Sequence, residues 1–135
     1  MKKTMIKNFS GLTYLTITNV PLKKTDVGDV IDLGAGELEQ LVSVALIENK
    51  IPIRGVEFRV MKSAIGLSNE AIANELGVSR NTVLKWGKKP EERLPVAYEM
   101  LFRILMAETL GVSIDISLSE LRGHDKAKHI QIKAA

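Results

Sequence analysis

The stretch LSNEAIANELGVSRNTVLKW, residues 67–86, contains two short helical patterns separated by a glycine and a serine. Ser68 is a favourable N-cap for the first helix, because its hydroxyl accepts a hydrogen bond from a first-turn backbone N–H. Gly77 is suited to end that helix, since glycine adopts the left-handed conformation at little steric cost. Ser79 can cap the second helix as Ser68 caps the first. The spacing therefore predicts two helices joined by a very short turn.

The apolar residues of this stretch match the requirements of a helix-turn-helix. Two helices that cross at about 90–120° need a small residue at their contact, a glycine in the turn, and apolar side chains directed at a third helix. Ala73 and Gly77 supply the contact and the turn, and Val78 is the apolar residue within the turn. Val83 and Trp86 form the inward face of the second helix. These constraints, met together at fixed offsets, predict the motif.

Three further segments have apolar residues at helical spacing. They cover residues 36–49, 54–65 and 95–112. Before them, LTYLTITNVPL (12–22) is rich in threonine and β-branched residues, and VIDL (30–33) follows a polar turn, which predicts a two-stranded hairpin. The predicted fold class is mainly α: a helical bundle with a helix-turn-helix, preceded by a small N-terminal β hairpin extension.

The length of the chain predicts one compact core with extensions. The chain has 135 residues, of which 45% are hydrophobic, which is too short for two ordinary domains. We expect an N-terminal extension with the hairpin over 1–35, the helical domain over 36–112, and a C-terminal segment with a basic tail over 113–135. The tail is either disordered or adds a short strand.

The composition argues against several classes of protein. There is no cysteine, and the two histidines, His124 and His129, are too few for a typical structural metal site. No apolar stretch reaches the roughly 20 residues of a membrane helix, and MKKTMIKNFS (1–10) is not followed by the apolar block of a signal peptide. We find no nucleophile–base pair and no glycine-rich phosphate loop. We therefore expect a cytoplasmic protein that is not an enzyme, with no catalytic residue, metal, cofactor or membrane partner.

Positive charge is concentrated in the second helix of the motif. The formal net charge of the chain is only +3, but residues 80–89 contain four cations and no acid. A solvated lysine-rich surface has the same composition. The cluster nevertheless lies on the helix whose first turn the motif leaves exposed, which favours an anionic partner. The four cations are Arg80, Lys85, Lys88 and Lys89.

The exposed turn carries side chains that can recognise bases. In the major groove, arginine pairs with the O6 and N7 atoms of guanine, and asparagine pairs with the N6 and N7 atoms of adenine. Arg80 and Asn81 occupy that turn, and Lys85 lies one turn farther along the same outward face. The Thr82 hydroxyl and the N–H groups that follow Ser79 are suited to phosphate oxygens. A solvated helix start is the alternative interpretation, and the enclosing motif favours base contact.

The same stretch resembles the helix-turn-helix of the lambda-repressor-like (Xre) DNA-binding domains at nearly every defining position. A broader resemblance, over about residues 10–112, is to MqsA-like and HigA-like antitoxins and related regulators. It is strongest in PIRGVEFRVMKSAIGLSNEAIANELGVSRNTVLKW, residues 52–86. The chain departs from the pattern in two respects. It lacks the cysteines of the N-terminal zinc module of MqsA-type proteins, and Gly87 stands where the family often has a glutamate that pairs with a basic side chain on helix 1 of the domain.

The resemblance implies a lambda-repressor-like bundle that acts as a sequence-specific repressor and binds double-stranded DNA at a pseudo-palindromic operator. It assigns base contacts to Arg80, Asn81 and Lys85. It assigns phosphate contacts to Asn69, Lys88 and Lys89, beside the contacts expected at Ser79 and Thr82.

We also expect a homodimer, because one helix in the major groove seldom gives enough affinity, and half-sites then lie about 34 Å apart. Segment 95–112 is apolar on two faces. The inward face is predicted to contain Val96, Ala97, Met100, Leu101, Ile104 and Leu105. The other face contains Phe102, Met106 and Leu110, which either form the dimer interface or are covered by another part of the chain.

Three functions from different classes fit these patterns. The first is a DNA-binding repressor that is the antitoxin of a type II toxin–antitoxin pair, autoregulates its operon, and uses its N-terminal extension to bind or mask the toxin. The second is a stand-alone Xre-type transcriptional regulator. The third is a protein-interaction module that has lost DNA binding. The missing acid after Trp86 favours the third function slightly, and the clustered cations favour the first two.

Overall fold

The computed structural model describes residues 2–34, 36–123 and 127–134. Within them, the strands are β1 (Lys3–Lys7), β2 (Leu15–Thr25), β3 (Gly28–Ile31) and β4 (Ile130–Lys133), with a single 3-10 turn at Phe9–Gly11. The helices are α1 (Glu37–Glu48), α2 (Gly55–Ile65), α3 (Asn69–Leu76), α4 (Arg80–Lys88), α5 (Val96–Leu110) and α6 (Leu118–Gly123).

The sheet is larger than the predicted hairpin extension, so the prediction of a mainly α fold with a small N-terminal β hairpin is wrong. The structure is 50% helical and 20% strand, and the four strands form one mixed sheet. The β2–β3 hairpin is present, but β2 also pairs antiparallel with β1 and parallel with β4. β4 comes from the basic tail, which adds a strand. Because β4 is only four residues long, the local pattern of its side chains did not identify β2 as its distant partner.

A bulge in β2 places two of its apolar residues, one on each side of the bulge, on the face toward the core. Between the pairs Ile6–Ile17 and Thr4–Val20, two residues of β2 oppose one residue of β1. The extra residue falls near Asn19, which has a φ of 54°. Because a bulge shifts the alternation of side chains by one position, Ile17 and Val20 are both fully buried although they lie three positions apart.

The helical core is centred on α2. Phe58 and Met61 on this helix are fully buried. The Phe58 ring lies 4.9 Å from the Phe102 ring of α5 and 5.7 Å from the Trp86 ring of α4, measured between centroids. Aromatic pairs at such distances add to the stabilisation that burial itself provides. α2 therefore joins the helix-turn-helix to the rest of the bundle.

The predicted caps of the two motif helices are confirmed. The Ser68 hydroxyl accepts a hydrogen bond from the Ala71 N–H at 3.1 Å, and the Ser79 hydroxyl accepts one from the Thr82 N–H at 3.2 Å. Gly77 ends α3 with a φ of 70°. These local features, which depend on residue type and spacing, are the ones that a single sequence predicts best.

The predicted faces of α5 are wrong. Phe102 and Met106 are fully buried, whereas Leu101 and Ile104 are 42% and 40% exposed. The difference arises because the buried face of α5 also contains a charged residue, Arg103, which is 1% exposed and which hydrophobic periodicity places outside. Its guanidinium is satisfied by the buried Glu99 carboxylate at 3.1 Å and by the Ile51 carbonyl.

None of the helices in the described residues is both long enough and apolar enough to span a membrane. Over the same residues, no group of three or more histidine, aspartate and glutamate side chains is placed to hold a metal ion. Of the two histidines discussed above, His129 is exposed just before β4, and His124 lies outside the described residues.

A buried hydrogen-bond network connects the sheet to α2. Glu57 is fully buried and accepts a hydrogen bond from the Tyr14 hydroxyl at 2.9 Å. It also accepts bonds from the Arg54 backbone N–H at 2.8 Å and from the Arg54 guanidinium at 2.7 and 3.0 Å. A buried carboxylate requires such partners, because its desolvation is costly without them. The network holds the start of β2 against the first turn of α2.

Tyr14 makes the stability of the fold sensitive to alkaline pH. Burial, followed by the Glu57 carboxylate, raises the pKa of the Tyr14 phenol above its ordinary value of 10.0. The neutral phenol is thus favoured in the folded state, so its contribution is complete below about pH 10 and is lost as pH rises further. For one group the slope is about 1.4 kcal/mol per pH unit.

We therefore expect Tyr14→Phe to flatten the fall in the free energy of unfolding above about pH 10. Urea denaturation at a series of pH values measures this fall, with Tyr98→Phe as the matched control that retains the wild-type dependence. Identical pH dependence in the wild type and Tyr14→Phe would show that the phenol is not coupled to Glu57 as described.

Candidate nucleic-acid interface

The N-terminal ends of α3 and α4 open onto the same cleft. The cleft has a volume of about 880 Å³, and Lys62, Asn69, Ser79 and Arg80 are among the residues that line it. Both helices direct the unpaired N–H groups of their first turns toward this side, where the helix dipole also favours negative charge. The cleft is thus suited to an anionic ligand that approaches both helix ends together.

The three residues predicted to contact bases lie together on the outer side of α4. Arg80 and Asn81 are exposed in its first turn, and Lys85 is exposed one turn later. Within the described residues, no side-chain hydrogen bond or ion pair involves any of the three. Their donors are therefore available to a ligand, as direct recognition of base edges requires.

Ser79 and Thr82, both predicted to contact phosphate, are coupled to each other. Their hydroxyl oxygens lie 2.9 Å apart and share one hydrogen bond, in which either can be the donor. The Ser79 oxygen also accepts the Thr82 backbone N–H. Two hydroxyl protons are present and one is used between the pair, so one proton remains to be donated to a phosphate oxygen.

Asn69 is supported by a residue that the sequence analysis missed. The Lys62 ammonium donates a hydrogen bond to the Asn69 side-chain oxygen at 2.8 Å, and it lies 5.9 Å from the centroid of the Phe58 ring. This contact leaves the amide protons of Asn69 and further ammonium protons of Lys62 free to meet a phosphate. Lys62 was missed because it lies in the last turn of α2, and only the tertiary approach of α2 to α3 places it at the cleft.

The two lysines predicted to contact phosphate at the end of α4 differ in their surroundings. Lys88 is exposed, and no ion pair involves it within the described residues. The Lys89 ammonium is paired with Glu92 at 3.4 Å, and the two side chains are 60% and 64% exposed. Such an exposed pair contributes only about 0–1 kcal/mol, so a phosphate can replace the carboxylate at little cost.

One acidic residue lies at the cleft itself. Glu70, in the first turn of α3, lines the cleft and is exposed. There its carboxylate interacts favourably with the positive end of the α3 dipole, and it also reduces the positive potential beside Asn69. A bound phosphate is therefore best placed toward Lys62 and Arg80, away from this carboxylate.

A close backbone contact replaces the ion pair that the resemblance implies at the end of α4. The side of Gly87 faces Arg59 of α2, and a Cβ built at Gly87 lies 3.9 Å from the Arg59 Cγ. Nearby, Gly55 lies very close to the end of α4. A Cβ built at Gly55 would clash with the Lys89 carbonyl oxygen and would lie 2.5 Å from the Trp86 carbonyl oxygen. The first turn of α2 thus packs directly on the backbone of the last turn of α4.

The loop after α4 is held by the same turn of α2. The Gly55 N–H donates to the Glu92 carbonyl at 3.0 Å, and the Val56 N–H donates to the Pro90 carbonyl at 3.1 Å. These bonds satisfy N–H groups that have no partner within α2 itself. Trp86 adds a buried aromatic contact on each side, with ring centroids 5.7 Å from Phe58 and 5.7 Å from Tyr98. Together, the backbone hydrogen bonds and the Trp86 ring contacts fix the orientation of the outer face of α4.

The comparisons with known proteins give no additional support for these roles. No protein-family model, no curated protein and no solved structure matches the chain. The interface is therefore argued from the geometry, the exposure and the charges of its residues.

The close approach at Gly55 predicts a strong effect of a single methyl group. We expect Gly55→Ala to destabilise the fold by about 2–3 kcal/mol, because the new Cβ forces α2 and α4 apart. Gly87→Ala is the matched control: it adds the same methyl group to a helix where space exists, and it is expected to be neutral or to stabilise by up to about 1 kcal/mol. Thermal or urea unfolding measures both variants. Equal stability of the two would contradict the described contact.

Proposed function

We propose that the chain is a sequence-specific transcriptional repressor that binds double-stranded DNA through α3 and α4. The observation that carries this proposal is the placement of Arg80, Asn81 and Lys85 on the unpaired outer side of a helix whose N-terminus opens, with that of α3, onto one cleft. A recognition helix enters the major groove in this manner, while neighbouring helix N-termini and basic side chains hold the phosphates.

The proposed contacts divide into two physical classes. Arg80 and Asn81 provide paired hydrogen bonds to base edges, which discriminate between sequences. Lys62, Asn69 and Lys88 provide contacts to the backbone, which supply affinity by releasing counterions and which do not depend on sequence. The first class sets the operator, and the second class sets the strength of binding and its dependence on salt.

We propose a homodimer, since a pseudo-palindromic operator matches a protein with a two-fold axis. The exposed Leu101 and Ile104 side chains on α5, which are one turn apart, supply an apolar surface for the second copy. This surface takes the place of the surface of Phe102, Met106 and Leu110 predicted from the sequence, because Phe102 and Met106 are buried within the chain and Leu110 is half-buried.

The further proposal that the repressor is an antitoxin rests on the resemblance of residues 52–86 to MqsA-like antitoxins. It is tested separately from DNA binding, by expressing the chain together with the product of the adjacent reading frame. Growth arrest by the neighbouring protein alone, and relief of the arrest by this chain, would support the antitoxin function. A harmless neighbour would favour the stand-alone regulator.

Two substitutions distinguish the base contacts from the phosphate contacts. After a preferred site is selected from a random duplex library, Arg80→Ala is expected to lower discrimination at one base position by about 1–3 kcal/mol. Lys88→Ala and Lys89→Ala are each expected to weaken the selected site and random duplex alike. Each is expected to reduce the log–log salt slope by about 0.9, the value for one phosphate. Fluorescence anisotropy at several salt concentrations measures both quantities.

Lys24→Ala is the matched control, since Lys24 is exposed on the β2–β3 hairpin and is not part of α3 or α4. It is expected to retain the wild-type affinity and slope. If the wild type binds random duplex without salt dependence, or if Arg80→Ala affects all sequences equally, the assigned roles are wrong.

A further inference from the structure

The two strands that flank the central strand β2 are both basic. Residues 2–7, which include β1, contain three lysines and no acid. Residues 127–134, which include β4, contain two lysines, one histidine and no acid. One of these lysines, Lys2, is paired with Asp29 of β3 at 2.7 Å. The other lysines of both segments are exposed and form no ion pair within the described residues.

The register of the sheet brings several of these residues onto one face. Lys7 lies opposite Thr16, and Thr16 lies opposite Gln131. Lys133 lies opposite Thr18 in the same way. Lys3, opposite Pro21, continues the face beyond the bulge in β2. We call the surface formed by Lys3, Lys7, Thr18, Gln131 and Lys133 the basic sheet face.

The opposite side of the same strands faces the core. Ile6, Ile17 and Ile132 form the row next to Lys7, Thr16 and Gln131, and Ile17 is fully buried. Because neighbouring residues of a strand point to opposite faces, the row with Lys7 and Gln131 is directed outward. Lys7 and Gln131 are exposed, in agreement with this direction, and Thr16 between them is 9% exposed.

The sheet is connected to the end of α4 by a short series of contacts. The loop after α4 bonds the first turn of α2, and Glu57 in that turn accepts the Tyr14 hydroxyl. The Tyr14 carbonyl in turn accepts the Ile130 N–H at the start of β4. The basic strand β4 therefore begins beside Tyr14, whose hydroxyl contacts the turn of α2 that also holds the loop after Lys88 and Lys89.

We infer that the basic sheet face is a second contact for the phosphate backbone of DNA, which extends the contact made by α3 and α4. This inference rests on the proposed function. Lysine and glutamine side chains are typical backbone ligands of DNA. Two apolar residues lie on this face: Pro21, and Met5 between Lys3 and Lys7, which is 52% exposed. The face as named contains no aromatic side chain of the kind that anchors protein partners. The ammonium groups of Lys3, Lys7 and Lys133 and the amide of Gln131 are donors that fit a polyanion, whereas the Thr18 hydroxyl donates to the Ile132 carbonyl at 3.2 Å.

The test compares two double variants that remove the same charge. Lys7→Gln with Lys133→Gln removes two lysines of the basic sheet face. Lys24→Gln with Arg122→Gln removes two exposed cations elsewhere, at the end of β2 that pairs with β3 and on α6. The probe is a random duplex of about three helical turns, titrated with the full chain at a series of potassium chloride concentrations. Circular dichroism melting confirms that both variants fold.

We expect the sheet variant to reduce the log–log salt slope by about 1.8, which is two phosphates at about 0.9 each, whereas the control keeps the wild-type slope. Hydroxyl-radical footprinting on a selected site should show loss of protection in the flanking duplex, with the central protection by α4 retained.

Equal slopes for the two double variants would overturn the inference and leave the proposed function in place. A sheet variant that aggregates at an unchanged slope would also overturn it, and would assign these lysines to protection of the sheet edges. If the wild type binds no duplex in a salt-dependent manner, the proposed function itself fails.

Discussion

The contact between the first turn of α2 and the last turn of α4 is the constraint on which the rest of the structure depends. Gly55 has no side chain, and the carbonyl oxygens of Trp86 and Lys89 occupy the space that a Cβ would need. The same turn contains the buried Glu57, whose carboxylate accepts hydrogen bonds from the Arg54 guanidinium and the Tyr14 hydroxyl. One turn of helix thus joins the sheet, the bundle and the loop after α4, and it determines the orientation of the proposed recognition helix.

In this arrangement, the charged residues fall into a buried, paired group and an exposed group on α4. The buried carboxylates Glu57 and Glu99 are both paired with arginines of the chain itself, because an unpaired charge in the core is costly. By contrast, Arg80, Lys85 and Lys88 are left without an ion pair among the described residues, on the outside of α4. Buried charge here supports the fold, and exposed charge is available to a polyanion.

The local parts of the fold were predictable from the sequence. The caps at Ser68 and Ser79 and the turn at Gly77 follow from residue type and spacing, and the outward position of Arg80 follows from the motif. The parallel pairing of β4 with β2 was not predictable, since it joins a four-residue strand to a partner more than a hundred residues away. The inward face of α5 was misassigned, because buried Arg103 interrupts its hydrophobic pattern.

The sequence likewise predicted only the part of the candidate interface that depends on local features. The residues of α4 lie where the motif places them, but Lys62 reaches the cleft only because α2 packs beside α3. The sequence likewise indicated a missing ion pair at Gly87, and it did not indicate that the backbone contact at Gly55 would replace it. Interactions between elements distant in sequence have no local pattern from which to infer them.

The central claim is that α3 and α4 together present a DNA-binding surface, and NMR titration of the 15N-labelled chain with duplex DNA tests it most directly. The account predicts that the largest amide shift changes fall at residues 68–70 and 79–85, with smaller changes at the loop after α4. Changes confined to α5 and α6, with residues 79–85 unaffected at saturating DNA, would contradict the account.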